Sequence, residues 1–246
     1  QVDSGMGKSL PTGGTITLIE PTDLIAKELE TRTIAGIEVE FQLTPGTEAP
    51  SEMNLYLPQL RALCMAENAT QMMHNILTPR GAQVRDAKAW AGYLDSSLAR
   101  YGDKSDVLFA QHNWPTWGGE RIRTFLADQR DMYAFLNDRT LHLLNQGLTP
   151  MEIAENMQKL PGELDKKWYT RGYYGSLSHN SRAVYQRYMG FYDGNPANLN
   201  PLPPVETARH LVEAMGGGAA VVEKIRAALA KGEYRWAAQL GNQLVF

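Results

Sequence analysis

The sequence predicts two joined architectures, a mixed α/β part over residues 1–120 and an all-helical part over residues 121–246. Three observations predict this. Short apolar or alternating runs, bounded by Pro, Gly and Asp, recur as far as Ala110 with one helical pattern among them. Polar residues stand repeatedly where those runs end. Beyond Trp117-Gly-Gly119 the period becomes that of amphipathic helices, and no convincing strand follows.

Residues 1–14, rich in Gly, Ser and Thr, read as a loop. Thr15 to Ile19 alternates briefly into a strand, and Pro21-Thr-Asp23 turns the chain. Ile37 to Leu43 has a period of two, with Ile37, Val39, Phe41 and Leu43 on one face and Glu38, Glu40 and Gln42 on the other. That is a half-buried strand. Thr44-Pro-Gly-Thr-Glu-Ala-Pro50 forces a turn, and Asn54 to Pro58 is a short strand. The run Leu63-Cys64-Met65-Ala66 is the next, and it ends abruptly on Glu67 and Asn68. Asp86 to Tyr101 carries Ala89, Trp90, Tyr93, Leu94 and Leu98 at helical spacing and closes near Gly102. Asp106 to Ala110 is a further apolar strand, running into Gln111-His112-Asn113.

In the second part, Ile122, Phe125, Leu126, Tyr133, Leu136, Leu143 and Leu144 mark a long amphipathic helix closed by Gly147. Thr149-Pro-Met-Glu152 is a capping box with Pro at the first helical position, so a new helix starts there and ends before Pro161. Ser181 to Met189 predicts another, closed by Gly190. Val205 to Met215, Ala219 to Ala230 and Glu233 to Phe246 predict three more, the last two as a helical hairpin.

The bounds are those of a soluble globular protein, with 43% apolar and 21% charged residues. No run approaches the roughly 18 continuous apolar residues of a membrane span. With 24 basic and 27 acidic residues the net charge is −3, which gives no general basis for binding nucleic acid or an anionic membrane. The one cysteine, Cys64, lies inside an apolar run and reads as a buried hydrophobe rather than a nucleophile. The opening Gln-Val-Asp-Ser-Gly carries no signal pattern and reads as the middle of something longer.

Three polar residues stand out because each follows a strand: Glu48, Glu67 and His112. Carboxylate and imidazole are ligand types for zinc, and a rigid strand end fixes a ligand well. A solvated turn glutamate and a hydrogen-bonding histidine fit the same pattern. Arg80, in Leu77-Thr-Pro-Arg-Gly81, offers a planar fork of donors suited to a tetrahedral oxyanion, and Asn75 adds an uncharged donor. A surface arginine is the alternative. The aromatic residues Trp168, Tyr169, Tyr173, Tyr174, Tyr185, Tyr188, Phe191 and Tyr192 suit either a core or a wall against an aliphatic substrate.

Several segments together resemble the alkyl sulfatases of the metallo-β-lactamase superfamily. They are Thr44 to Pro50, Met65-Ala-Glu67-Asn-Ala-Thr, Met73 to Asp86, Gln111-His112-Asn113-Trp-Pro, Ala183-Val-Tyr185-Gln-Arg-Tyr and Tyr192 to Leu199. The similarity runs over essentially the whole chain. It implies a fold made of the C-terminal half of an αββα sandwich, followed by a helical dimerisation domain that forms a homodimer. It implies two zinc ions per active site, with Glu48 holding one, Glu67 bridging both and His112 holding the other. It also implies that Asn75, Arg80 and Tyr185 hold the sulfate, while metal-activated water hydrolyses an alkyl sulfate to alcohol and inorganic sulfate. Exported family members suggest a periplasmic or secreted location.

The family's remaining ligands come from a His-x-His-x-Asp-His motif, and no such motif occurs in this sequence. The expectation is therefore a fragment, or a chain paired with a separate N-terminal half. Two rivals remain at the level of sequence: a helical dimerisation module with a non-catalytic α/β remnant, and a metallo-hydrolase of another ester or a lactam.

Overall fold

The computed structural model describes residues 14–15 and 17–245. Six strands form one sheet in the order β1-β2-β3-β4-β5-β6: β1 (Leu29–Ile34), β2 (Ile37–Leu43), β3 (Met53–Leu57), β4 (Ala62–Cys64), β5 (Val107–Phe109) and β6 (Thr116–Trp117). Every neighbouring pair is antiparallel except β4 and β5, which run parallel. A parallel pair needs a long crossover. Here it contains α1 (Ala87–Tyr101), and α2 (Gly119–Asn145) follows β6.

The alternation read in Ile37–Leu43 holds for Val39 and Phe41, which are buried, but not at the ends of β2. There Ile37 is exposed, and Gln42 is buried because its amide oxygen accepts from Ser97 and Asn54. Asp86 caps α1 by accepting from the Ala89 N–H at 2.9 Å, which satisfies a donor that a helix start leaves unpaired. Trp90 and Leu94 of α1 pack with Leu63, Leu108, Ile122, Phe125 and Leu126 in one continuous core. Within it Trp90 stacks on Tyr133 at 4.7 Å, and Tyr56 stacks on Tyr101 at 4.8 Å.

The capping box at Thr149 forms as expected, and α3 (Pro150–Asn156) begins there. Next comes α4 (Leu177–Met189), starting four residues before the expected Ser181, because the Ser176 hydroxyl caps it by accepting from the His179 N–H. Helices α3 and α4 share the core of the sheet and α2, so by compactness the first unit runs to Phe191. The boundary expected at 120/121 therefore lies inside the first compact unit. The second unit, Tyr192–Phe246, holds α5 (Pro204–Ala214), α6 (Gly218–Ala230) and α7 (Tyr234–Val245). In it α6 and α7 pair as the expected hairpin, and α5 packs on α7.

The strand expected at Thr15 to Ile19 is not one: the described residues there are exposed and in no strand. Among the described residues no strand pairs with it to supply hydrogen bonds, and the first strand among them is Leu29–Ile34. The loop expected over 1–14 lies, apart from Gly14, outside the described residues. Cys64 is free and buried, and burial raises its thiol pKa. No helix among the described residues is long and apolar enough to cross a membrane.

Candidate metal centre

The parallel pair β4–β5 brings two chain segments out at the same sheet edge. Pairing continues past the strands: Met65 N–H donates to Phe109 O at 2.8 Å, and Gln111 N–H donates to Ala66 O at 2.9 Å. Each bond lies just before a candidate site residue, Glu67 or His112. Ala66 has φ +48°, the left-handed region that an alanine adopts at a cost of roughly 1–2 kcal/mol. That turn takes the chain off the sheet and presents Glu67. The Glu67 carboxylate then faces two imidazoles, with Oε2 3.0 Å from His74 Nε2 and Oε1 2.9 Å from His112 Nε2. The hydrogen bond to His74 lowers the Glu67 pKa most; partial burial opposes it, and the bond to His112 adds to it.

Glu48 arrives from the Pro/Gly turn after β2. Arg85 holds it twice, from Nη2 to Glu48 Oε1 at 2.5 Å and from Nε to Glu48 O at 2.7 Å. The same guanidinium donates through Nη1 to Asn75 O at 3.0 Å and to Asn75 Oδ1, and lies 3.2 Å from His74 Nδ1. Arg85 is thus a buried strut between Glu48, His74 and Asn75. Ligand atoms of Glu48, Glu67 and His74 all lie within 4.8 Å of one another. Glu52 sits behind them and accepts from the Glu67 N–H at 3.2 Å. Burial, reinforced by the neighbouring Glu48 and Glu67 carboxylates, pushes the Glu52 pKa up to about 7. Three carboxylates and two imidazoles on one edge form an oxygen and nitrogen donor set suited to a divalent cation.

Beside this edge lies a cavity of about 580 Å³, between residues 75–79 and α4. Asn75 and Tyr185, two of the expected sulfate-holding residues, share its wall. Arg80 does not line it: it is exposed on the turn closed by Gly81 N–H to Thr78 O at 3.1 Å, and its neighbour Pro79 reaches the wall. Helix α4 fixes the loop. The Asn180 amide donates to His74 O and accepts from Ile76 N–H, both at 2.9 Å. Gly175 passes so close that a Cβ there would lie 2.4 Å from His74 O. Tyr173, Tyr174 and Phe191 supply the aromatic part of the wall.

A sequence model described as alkyl sulfatase dimerisation matches residues 149–246. The whole chain is 65% identical to an (R)-specific secondary-alkylsulfatase of a Pseudomonas species, covering 37% of that protein. It is 55% identical over 245 residues to the alkyl/aryl-sulfatase BDS1 of Saccharomyces cerevisiae, covering 38% of it. A solved structure of the stereoselective inverting sec-alkylsulfatase Pisa1, from Pseudomonas, superposes on all of the chain with a TM-score of 0.98 and 65% identity, over 39% of its own length. The chain resembles alkylsulfatases from end to end. It spans well under half the length of these relatives.

Within this alkylsulfatase-like chain the structure brings Glu48 and Glu67 together and sets His112 on the Glu67 oxygen opposite His74. Three contributors were not singled out from sequence. His74 lies in an apolar stretch with no partner histidine at ligand spacing. Arg85 looks like any charged residue ahead of a helix, because its burial arises only once Glu48 and Asn75 fold over it. Glu52 carried a usable signal: it directly precedes a strand, as Glu48, Glu67 and His112 follow theirs.

Proposed function

We propose that this chain is part of a zinc-dependent alkylsulfatase, hydrolysing an alkyl sulfate ester to an alcohol and inorganic sulfate. The observation that carries the reading is the 65% identity to a secondary-alkylsulfatase along the full chain. In this reading the sheet with its helices is the C-terminal half of a metallo-β-lactamase αββα sandwich. Residues 1–120 serve catalysis and residues 121–246 dimerisation.

Glu48, Glu67 and His112 would hold the zinc, with Glu67 placed to serve both sides of the centre. The donor set fits: Glu67 already turns one oxygen toward each of two imidazoles, at 3.0 and 2.9 Å. Three residues are too few for two ions. The others belong to the portion of the enzyme that the relatives possess and this chain does not span. Zinc, when bound, supplies Lewis-acid charge and activation of water.

The chain's own residues do the rest. Arg85 holds Glu48 in place and occupies Asn75 Oδ1, so the Asn75 NH₂ is the end left to donate to a sulfate oxygen. The Tyr185 hydroxyl donates from α4, and Arg80 adds positive charge from the 78–81 turn. The aromatic wall receives the alkyl chain.

Metal analysis with turnover tests this on the complete enzyme containing the chain. We expect about two zinc ions per subunit, hydrolysis of alkyl sulfates in preference to a phosphodiester, and loss of turnover on chelation that zinc restores. Undiminished turnover after zinc is stripped, or a preference for the phosphodiester, would sink the reading. A homodimer is the second expectation, supported by the dimerisation match and by Leu211, Leu229, Trp236 and Leu244 left exposed in the second unit. Light scattering at micromolar concentration should return twice the subunit mass; a monomeric mass refutes it.

A further inference from the structure

We propose that Arg182, on α4, is a substrate-holding cation that receives the anionic head of the ester beside Asn75 and Tyr185. This rests on the sulfate-ester reading and adds a residue to it. His179, Arg182 and Tyr185 recur three residues apart, so they form one stripe of the helix, and all three line the cavity. No aspartate or glutamate lines the cavity. Its fixed charge is therefore positive, in a wall that is otherwise aromatic, apolar or neutral.

The arginine itself lacks a partner suited to it. Its Nε is buried without a hydrogen bond, and its Nη1 lies 3.7 Å from the Met151 sulfur, a weak acceptor. Among the described residues it forms no ion pair. Two other arginines differ: Arg85 is bound to Glu48 at 2.5 Å, and Arg187, five residues further along α4, is bound to Asp86 at 2.6 Å. A guanidinium is a fork of five donors that cannot give up its charge. Leaving such donors unpaired in a wall costs free energy that an anionic ligand would recover.

A sulfate monoester brings one negative charge and several acceptor oxygens, and its hydrocarbon end suits Met151, Tyr173 and Phe191 on the same wall. Arg80, on an exposed turn, meets that charge through water. Arg182 meets it from a half-buried position, where screening is weaker.

The test uses the complete enzyme and the variants Arg182→Gln and Arg182→Lys, with inorganic sulfate as the probe in calorimetry and an alkyl sulfate in steady-state kinetics. We expect R182Q to weaken sulfate binding and raise KM by about tenfold or more, with kcat changed less than about threefold and zinc content unchanged. R182K should recover part of the sulfate affinity. If R182Q does not fold, Arg182→Met, which keeps the packing of the stem, replaces it under the same expectations. Sulfate affinity equal to the parent's in the neutral variant overturns the inference, as does a parent enzyme that binds no sulfate. A fall in kcat with sulfate affinity intact also overturns it. A parent that binds sulfate through Arg182 but hydrolyses no sulfate ester leaves this inference standing and refutes the proposed function instead.

Discussion

Replacing Glu67 by alanine in the complete enzyme is expected to lower zinc content below one ion per subunit and to cut kcat/KM by more than about a hundredfold. The reason is its position rather than its charge alone. One carboxylate faces His74 through Oε2 and His112 through Oε1, so its loss removes a donor from both sides of the proposed centre at once. Stability without metal should change much less. Two charge-assisted hydrogen bonds disappear, but so does one of three crowded carboxylates, and Glu52 is relieved of a neighbour that raises its pKa. Elemental analysis beside kinetics separates these effects. Retention of two zinc ions and near-parental turnover would remove Glu67 from the proposed metal-holding role.

Gly175→Ala is expected to disturb the site from outside it. A Cβ at that position would meet His74 O at 2.4 Å, His74 C at 2.6 Å and Asn75 N at 2.8 Å. All three are backbone atoms, so no flexible side chain can yield. The two segments must separate, and the bonds joining them are those that place His74 and Asn75: Gly175 N–H to Met73 O, and the paired Asn180 contacts. We expect a loss of about 2–4 kcal/mol in unfolding free energy and a raised KM, since Asn75 no longer meets the cavity in register. Thermal unfolding within a degree of the parent would show that the loop has slack that this geometry does not allow.

Much of the fold was legible because burial on one face leaves a period in the sequence. β2 declares itself through Val39 and Phe41, and α1 through Trp90 and Leu94 with Asp86 at its start. β1 was not legible: Leu29–Ile34 is an edge strand, mostly exposed, and its charged residues hide the alternation. β6 is two residues long, too short for any period. The site divides in the same way. Glu48, Glu67 and His112 stand where apolar runs end, a pattern visible along the chain. Arg85 is a buried charge whose burial comes from distant partners, and nothing next to it in sequence announces it, whereas Glu52 stands directly before a strand and could have been read in the same way. Arg182 was overlooked for a related reason: an arginine on an amphipathic helix looks solvated until the loop facing it is known.

The single parallel pairing in the sheet bears on how the molecule assembles. Glu67 meets His112 across 45 residues, Arg85 meets Glu48 across 37, and Asn180 meets His74 across 106. Contacts so remote along the chain form only after long loops have closed, and that entropy must be overcome before any of them stabilises the structure. The candidate metal-binding edge is accordingly a late product of folding. An excised peptide spanning residues 64–86 would contain Glu67, His74 and Arg85 but none of the long-range contacts that orient them.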